Sequence, residues 1–317
     1  MSDYPEFADP MQRPRYSGIP TFMRAPFTED YGNVDIGLIG IPFDGGVTNR
    51  TGARHGPREI RNQSSLMRTV HQACGIKPYK LARVADLGDA WVQRPFKLED
   101  SLDEIADFFA KVHDAGVLPI SAGGDHSVTL PVMRAIGRDR PVGMVHFDAH
   151  CDTGDDYLGS KFHHGTPFRR AVEEGVLDPK RTIQIGIRGA LNDLDAWKFS
   201  HDSGMRVVYM EELYEIGVKA VIEEARRVAG DGPTYISFDV DGLDPVYAPG
   251  TGTPEIGGFT TLEAQLMLRG LRGLNLIGGD VVEVAPPFDP SGTTALVGAS
   301  VMFEILCLVA DSLAARR

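Results

Sequence analysis

Eight apolar runs rich in β-branched residues recur along the chain, at Val34 to Ile41, Leu81 to Val84, Val117 to Ser121, Val142 to Phe147, Thr182 to Ile187, Arg206 to Tyr209, Thr234 to Val240 and Leu276 to Val284. Between most of them lie segments of helical length and pattern, such as Leu102 to His113, Pro167 to Glu174, Val218 to Val228 and Leu262 to Leu271. Strand alternates with helix, and the central runs are apolar on both faces. That combination predicts an α/β fold, a three-layer α/β/α sandwich around a mainly parallel sheet. No repeat, low-complexity tract or Pro/Gly/Ser linker divides the 317 residues, so residues 34–317 are expected to form a single domain. Residues 1–33, with Pro5, Pro10, Pro14, Pro20 and Pro26, read as an irregular N-terminal arm that packs either on a neighbouring subunit or on its own domain.

Several classes are disfavoured by composition. The net charge is -12 with no Lys/Arg run, which argues against nucleic acid and anionic membranes as partners. No stretch approaches about 18 consecutive apolar residues. The opening MSDYPEFADP has neither the basic nor the apolar region of a secretion signal, so a cytoplasmic protein is expected. Cys74, Cys151 and Cys307 are odd in number and lack CxxC spacing, which disfavours disulfides and zinc ribbons.

The chemistry gathers in four segments that follow apolar runs: GGDHS at Gly123 to Ser127, HFDAHCD at His146 to Asp152, SFDVDGLDP at Ser237 to Pro245 and VEVAPPFD at Val282 to Asp289. Parallel sheets bind ligands at the carboxyl ends of their strands, so these loops can converge although they are far apart in sequence. If strand geometry persists, Asp148, His150 and Asp152 point to one side, and Asp239 and Asp241 repeat the arrangement. Each signal has a bland counterpart: DxHxD alone can be a capped turn, and a lone His126 after two glycines is more often a helix N-terminal feature. Together, His126, Asp148, His150, Asp152, Asp239 and Asp241 supply four carboxylates and two imidazoles, too many ligands for one tetrahedral ion. They suit two divalent ions with shared carboxylates. An oxygen-rich set without thiolate favours Mn²⁺, with Ni²⁺, Fe²⁺, Co²⁺ and Zn²⁺ as alternatives.

From about Gly37 to about Leu308 these motifs resemble the ureohydrolase family of arginase and agmatinase. GGDHS, DAHCD, HHGTPF, SFDVDGLDP and GTGTPEIGG occur in the family's order. The stretches GIPTFMR, TNRTGARHGPREIR and HGTPFRRAVEEG look closest to bacterial guanidino-acid hydrolases such as guanidinopropionase, guanidinobutyrase and proclavaminate amidinohydrolase. The resemblance implies an arginase-like fold and a homo-oligomer, trimeric or hexameric. It implies one ion held by His126, Asp148, Asp152 and Asp239 and another by Asp148, His150, Asp239 and Asp241, with a hydroxide between them attacking the guanidinium carbon. Asp152 then takes the proton, His164 matches the family's mobile catalytic histidine, and Glu283 matches the acid that holds the guanidinium.

Physical chemistry agrees with that assignment. A guanidinium carbon is a poor electrophile, so a metal-activated nucleophile is needed at neutral pH. Glu283 would orient the cation, and a histidine titrating near neutrality suits protonation of the departing amine. His163 competes with His164 for that part, and the two adjacent rings are expected to diverge. His55, His71, His113, His146 and His201 read as structural or exposed, and Cys151 as a small buried filler.

One departure bears on substrate. Arginases and several guanidino-acid hydrolases carry Asn two positions after the last aspartate of DAHxD, where this chain has Gly154. An arginine-like tail is then less well supported, and the substrate-facing set becomes Glu283, His164, Gly154 and His163, with the loop Thr153 to His163 deciding among tails. The expected substrate is a small guanidino acid such as 3-guanidinopropanoate or 4-guanidinobutanoate. Agmatine, guanidine, N-alkylguanidines and biguanides are the alternatives. A one-metal deacetylase and an inactive metal-binding subunit of a hetero-oligomer are the rival classes.

Overall fold

In the computed structural model, which describes residues 11 and 13–317, eight strands form one sheet. They are β1 (Ile36–Ile41), β2 (Val84–Asp89), β3 (Leu118–Gly123), β4 (Val142–Phe147), β5 (Leu177–Ile187), β6 (Arg206–Tyr209), β7 (Thr234–Asp239) and β8 (Leu276–Val282). The spatial order is β2-β1-β3-β8-β7-β4-β5-β6, and every adjacent pair is parallel. Every residue of β1, β4 and β7 is buried, which explains their near-continuous apolar sequence.

The helices are α1 (Gly56–Ser64), α2 (Pro78–Leu81), α3 (Leu98–Asp114), α4 (Thr129–Ile136), α5 (Pro167–Glu173), α6 (Lys198–Ser203), α7 (Met210–Ala229), α8 (Thr261–Gly270) and α9 (Thr293–Arg316). One face of the sheet packs against α1, α7, α8 and α9, the other against α3, α4 and α5. Strand alternation divides the side chains between the two cores. Val145 and Phe147 of β4 join the first, and Val142 and Met144 join the second. α3 buries Leu102, Ile105, Phe109 and Val112 at helical spacing, and a reciprocal capping box between Thr260 and Glu263 starts α8.

Three local expectations are corrected. Leu81 belongs to α2, because Pro78 opens a helical turn, and the second strand begins only at Val84. α7 begins at Met210, eight residues before the expected Val218; Gly217, at φ 80°, interrupts it there. α9 was not anticipated, because it is apolar on nearly all sides and shows no amphipathic period. Among the described residues it is one helix long and apolar enough to cross a membrane, yet it is mostly buried against β8, α1 and α8.

Residues 1–10 and 12 of the expected arm, including Pro5 and Pro10, lie outside the described residues. Further along, Phe22 and Met23 are buried on their own domain. The Phe22 N–H donates to Asp86 Oδ2 at 2.8 Å, and the Arg61 guanidinium lies 4.1 Å from the Phe22 ring centroid.

The register decides what the sheet can present. Val281 of β8 sits beside Ala122 of β3 and Phe238 of β7, and Phe238 sits beside Phe147 of β4. One residue further on, the four central strands deliver Gly123, Val282, Asp239 and Asp148 to a common edge. The four acidic and histidine-bearing segments therefore leave neighbouring strands, where a parallel sheet opens to ligands.

Candidate metal centre

A single turn device recurs at three strand ends. Asp125 Oδ1 accepts the Ser127 N–H at 2.9 Å, Asp148 Oδ1 that of His150 at 2.6 Å, and Asp239 Oδ1 that of Asp241 at 2.8 Å. Each aspartate caps the turn that follows it, as short acidic side chains do. This corrects the expectation that strand alternation aligns Asp148, His150 and Asp152. β4 ends at Phe147, Asp148 caps its own turn, and Asp152 adopts a left-handed φ of 52°.

With one oxygen committed to capping, the others converge. Asp148 Oδ2, Asp152 Oδ2 and Asp239 Oδ2 lie 3.1, 3.0 and 3.3 Å from His126 Nδ1. A second group forms where His150 Nδ1 lies 3.3 Å from Asp148 Oδ1 and 3.2 Å from Asp241 Oδ2. The six expected residues are thus brought together in two subsets that share Asp148. Asp239 reaches the second through its bond to the Asp241 N–H.

Electrostatics make this cluster unlike an ordinary buried network. Burial, then the Asp241 and Asp148 charges, push Asp239 well above the usual carboxylate range. Burial and Asp148 push Asp241 up to about 6. Burial also opposes the Asp148 charge, but neighbouring imidazoles outweigh it and hold that carboxyl well below its ordinary value.

The ring of His126 tests whether a cation fits. Its Nε2 is 2.9 Å from Ser237 Oγ, whose own hydroxyl donates to Asp280 Oδ1 at 2.8 Å. Nε2 must then carry the hydrogen, and in the neutral ring Nδ1 is a bare lone pair. That buried Nδ1 has no hydrogen bond although three carboxylate oxygens surround it. A nitrogen lone pair and three anionic oxygens facing inward suit a divalent ion.

Supporting residues emerge that the sequence did not single out. His146 accepts from Gln184 Nε2 at Nδ1 (3.1 Å), so its Nε2–H donates to Asp148 Oδ2 at 2.8 Å. It was expected to be structural, and its bond orients the Asp148 carboxylate. Asp280, buried in mid-strand, accepts from Ser237, from Thr129 Oγ1 at 2.9 Å and from the Tyr235 hydroxyl at 3.1 Å. A lone aspartate in a strand buried on both faces was the available signal for it.

Beside the ligand cluster stands a second acid–histidine pair. Glu283, at a left-handed φ of 63°, accepts with Oε1 from the His126 backbone N–H and from His164 Nδ1, both at 3.0 Å. Its Oε2 is buried without a partner. Two non-glycine residues in left-handed conformation, Asp152 and Glu283, mark this as a place where local strain is tolerated. Burial opposes the His164 charge, but the Glu283 bond and charge dominate and raise its pKa to about 9. His164 Nε2 is 2.7 Å from Thr48 Oγ1.

His163 diverges as expected, its ring inclined at 63° to that of His164 and packed toward Tyr157. Burial and the neighbouring His164 charge lower its pKa. Cys151 is buried, and His71, His113 and His201 pair with Glu304, Asp139 and Tyr209, away from the cluster.

The cluster opens into a cavity of about 740 Å³ lined by His150, Asp152, His163, His164, Arg169 and Trp197, among others. Gly154 lines it with backbone alone. A Cβ there would lie 2.9 Å from the Gly165 carbonyl oxygen, so the missing side chain leaves no room in that direction.

The arginase family model matches residues 34–308. The chain is 62% identical over 314 residues to guanidinopropionase of Pseudomonas aeruginosa, covering 99% of this chain and 98% of that protein. It is 44% identical over 302 residues to guanidinobutyrase of the same organism, covering 94% of each. Proclavaminate amidino hydrolase from Streptomyces clavuligerus superposes with a TM-score of 0.91 at 38% identity, covering 95% of this chain and all of that one.

Proposed function

The chain belongs to the arginase family, and from that premise we propose that it hydrolyses a small guanidino acid, such as 3-guanidinopropanoate or 4-guanidinobutanoate, to urea and an amine. Identity to a guanidinopropionase and a guanidinobutyrase supports the substrate class. The observation that carries the reaction is the buried, unpartnered Oε2 of Glu283 beside the ligand cluster. An anionic oxygen buried without a donor is costly, and a guanidinium N–H removes that cost.

Two divalent ions are proposed, one at His126, Asp148, Asp152 and Asp239, the other at Asp148, His150, Asp239 and Asp241, with Mn²⁺ favoured by the oxygen-rich set and Ni²⁺ as the alternative. Bound there, they supply Lewis-acid chemistry and lower the pKa of water. The protein's own groups do the rest. Glu283 fixes the guanidinium, so its carbon stays over the carboxylate cluster. Asp152, with Oδ2 at the cluster, accepts the proton of the attacking water. His164 holds a proton at neutral pH because its pKa is raised to about 9, and the departing amine draws on it. Arg169 and Lys198 are cations on the cavity wall that a substrate carboxylate can meet. His163 and Gly154 complete the wall beside His164.

A cytoplasmic location and a homo-oligomer, trimeric or hexameric, belong to the same proposal. Urea release from the Mn²⁺-loaded protein, measured over 3-guanidinopropanoate, 4-guanidinobutanoate, agmatine, arginine, guanidine, alkylguanidines and biguanides, tests it. The expected outcome is the highest kcat/KM for a guanidino acid and none after chelation. A preference for arginine or agmatine over every guanidino acid overturns the substrate class.

A further inference from the structure

Arg188 directly follows β5, and its side chain is nearly buried. Among the described residues no carboxylate pairs with it; six backbone carbonyls do. Nε donates to Ile256 O at 3.1 Å. Nη1 donates to Gly186 O and Gly242 O at 3.1 and 3.0 Å. Nη2 faces Asp241 O, Leu243 O and Glu255 O at 2.8, 3.2 and 2.6 Å. The Arg188 backbone N–H donates to Ala149 O at 2.9 Å, between Asp148 and His150.

The side chain thus grips the segment that carries Asp241, and only the backbone N–H, which any residue here would offer, holds the segment of Asp148 and His150; no bond reaches His126 or Asp152. Room for the guanidinium is provided by Gly258, where a Cβ would fall 2.5 Å from Nη2. A cation buried among carbonyls is expensive unless the local field favours it. Burial lowers the Arg188 pKa, and the charges of Asp241 and Asp148 act against that loss. The planar fork of an arginine serves several acceptors at fixed angles, which a lysine ammonium cannot reproduce.

We infer that the Arg188 side chain is a positioning residue for the metal subsite built from Asp148, His150 and Asp241, fixing the Asp241 segment against the end of β5 while making no bond to His126, Asp152 or Asp239. The inference rests on the proposed two-ion centre, so the experiment reads metal and not urea. Wild type, Arg188→Lys and Arg188→Met are stripped with chelator and titrated with Mn²⁺ by calorimetry. The loaded proteins are then compared by elemental analysis and by the electron paramagnetic resonance of coupled against isolated Mn²⁺.

The expected result is two ions in wild type. In Arg188→Lys one ion should bind as before and the second about 10–100-fold more weakly, the range for losing a group that orients a ligand, with the isolated-ion spectrum appearing. A general loss of structure would weaken both ions in parallel with the metal-free melting temperature. That result, or two ions at wild-type affinity in the variant, overturns the inference. A wild type that takes fewer than two ions overturns the two-ion reading instead. Arg188→Lys keeps the charge and the aliphatic stem, so it decides the matter if Arg188→Met does not fold.

Discussion

Two buried clusters of charge in this protein behave oppositely. On α9, Glu304 receives Arg269 Nη2 at 2.6 Å and His71 Nε2 at 2.7 Å, and the His71 Nδ1 accepts the Cys74 N–H at 3.2 Å. One anion meets one cation, each donor has an acceptor, and the cluster closes on itself. At the strand ends, four aspartates crowd around two imidazoles, two of the aspartates are pushed up in pKa, and His126 Nδ1 and Glu283 Oε2 lack partners. Burial alone does not separate structure from function here. An uncompensated charge count does, because the missing positive charge has to come from something that binds.

The largest expected effect separates the two clusters directly. Asp239→Asn should lose ions and fall to background urea release, yet in chelator its melting temperature should equal or exceed that of wild type, since one like charge has gone. Glu304→Gln should do the reverse, losing about 2–3 kcal/mol of stability because Arg269 and His71 lose a charged acceptor, with kcat/KM of the loaded enzyme unchanged. Melting curves with and without chelator, alongside kinetics, measure both. If Asp239→Asn melts lower in chelator by as much as Glu304→Gln does, the distinction between the clusters collapses.

A smaller effect sharpens the boundary of the unbalanced cluster. His146→Asn removes the donor to Asp148 Oδ2 without touching a proposed ligand, and should weaken Mn²⁺ binding about 10–100-fold. Unchanged affinity in a Mn²⁺ titration would return His146 to a purely structural part.

The smallest lies at the cavity wall. Arg169 is held by Asp155 at 3.1 Å and Glu173 at 3.0 Å and rests 4.8 Å from the Phe199 ring. Arg169→Gln should lower kcat/KM for a guanidino acid about tenfold, chiefly through KM, and leave an alkylguanidine, whose tail carries no carboxylate, unaffected. Equal losses on both substrates would mean that Arg169 only braces the loop.

Much of this was legible without a structure, because the signals are local. Strand and helix periodicity repeats within a few residues, and seven of the eight strands appear in it, the second being touched only at Val84. DAHCD and FDVDG carry the candidate ligands within two to four positions, and the family resemblance supplied the parts proposed for His164 and Glu283. What the letters determined is therefore which side chains are present at each strand end and which turns follow them. The tertiary structure decided the rest, since it depends on contacts with no local period. The strand order sets β3, β8, β7 and β4 side by side. His146 acts through a bond to Asp148 that needs the turn of that aspartate as well as Gln184 across the sheet. Asp280 and Ser237, 43 positions apart, choose the tautomer of His126. Gly154 reads as open space in the sequence, but only the fold puts the Gly165 carbonyl oxygen 2.9 Å from where its Cβ would be. Residue type is a property of the chain, whereas a hydrogen-bond partner far away in sequence is a property of how the chain packs, and only the latter selects the working geometry.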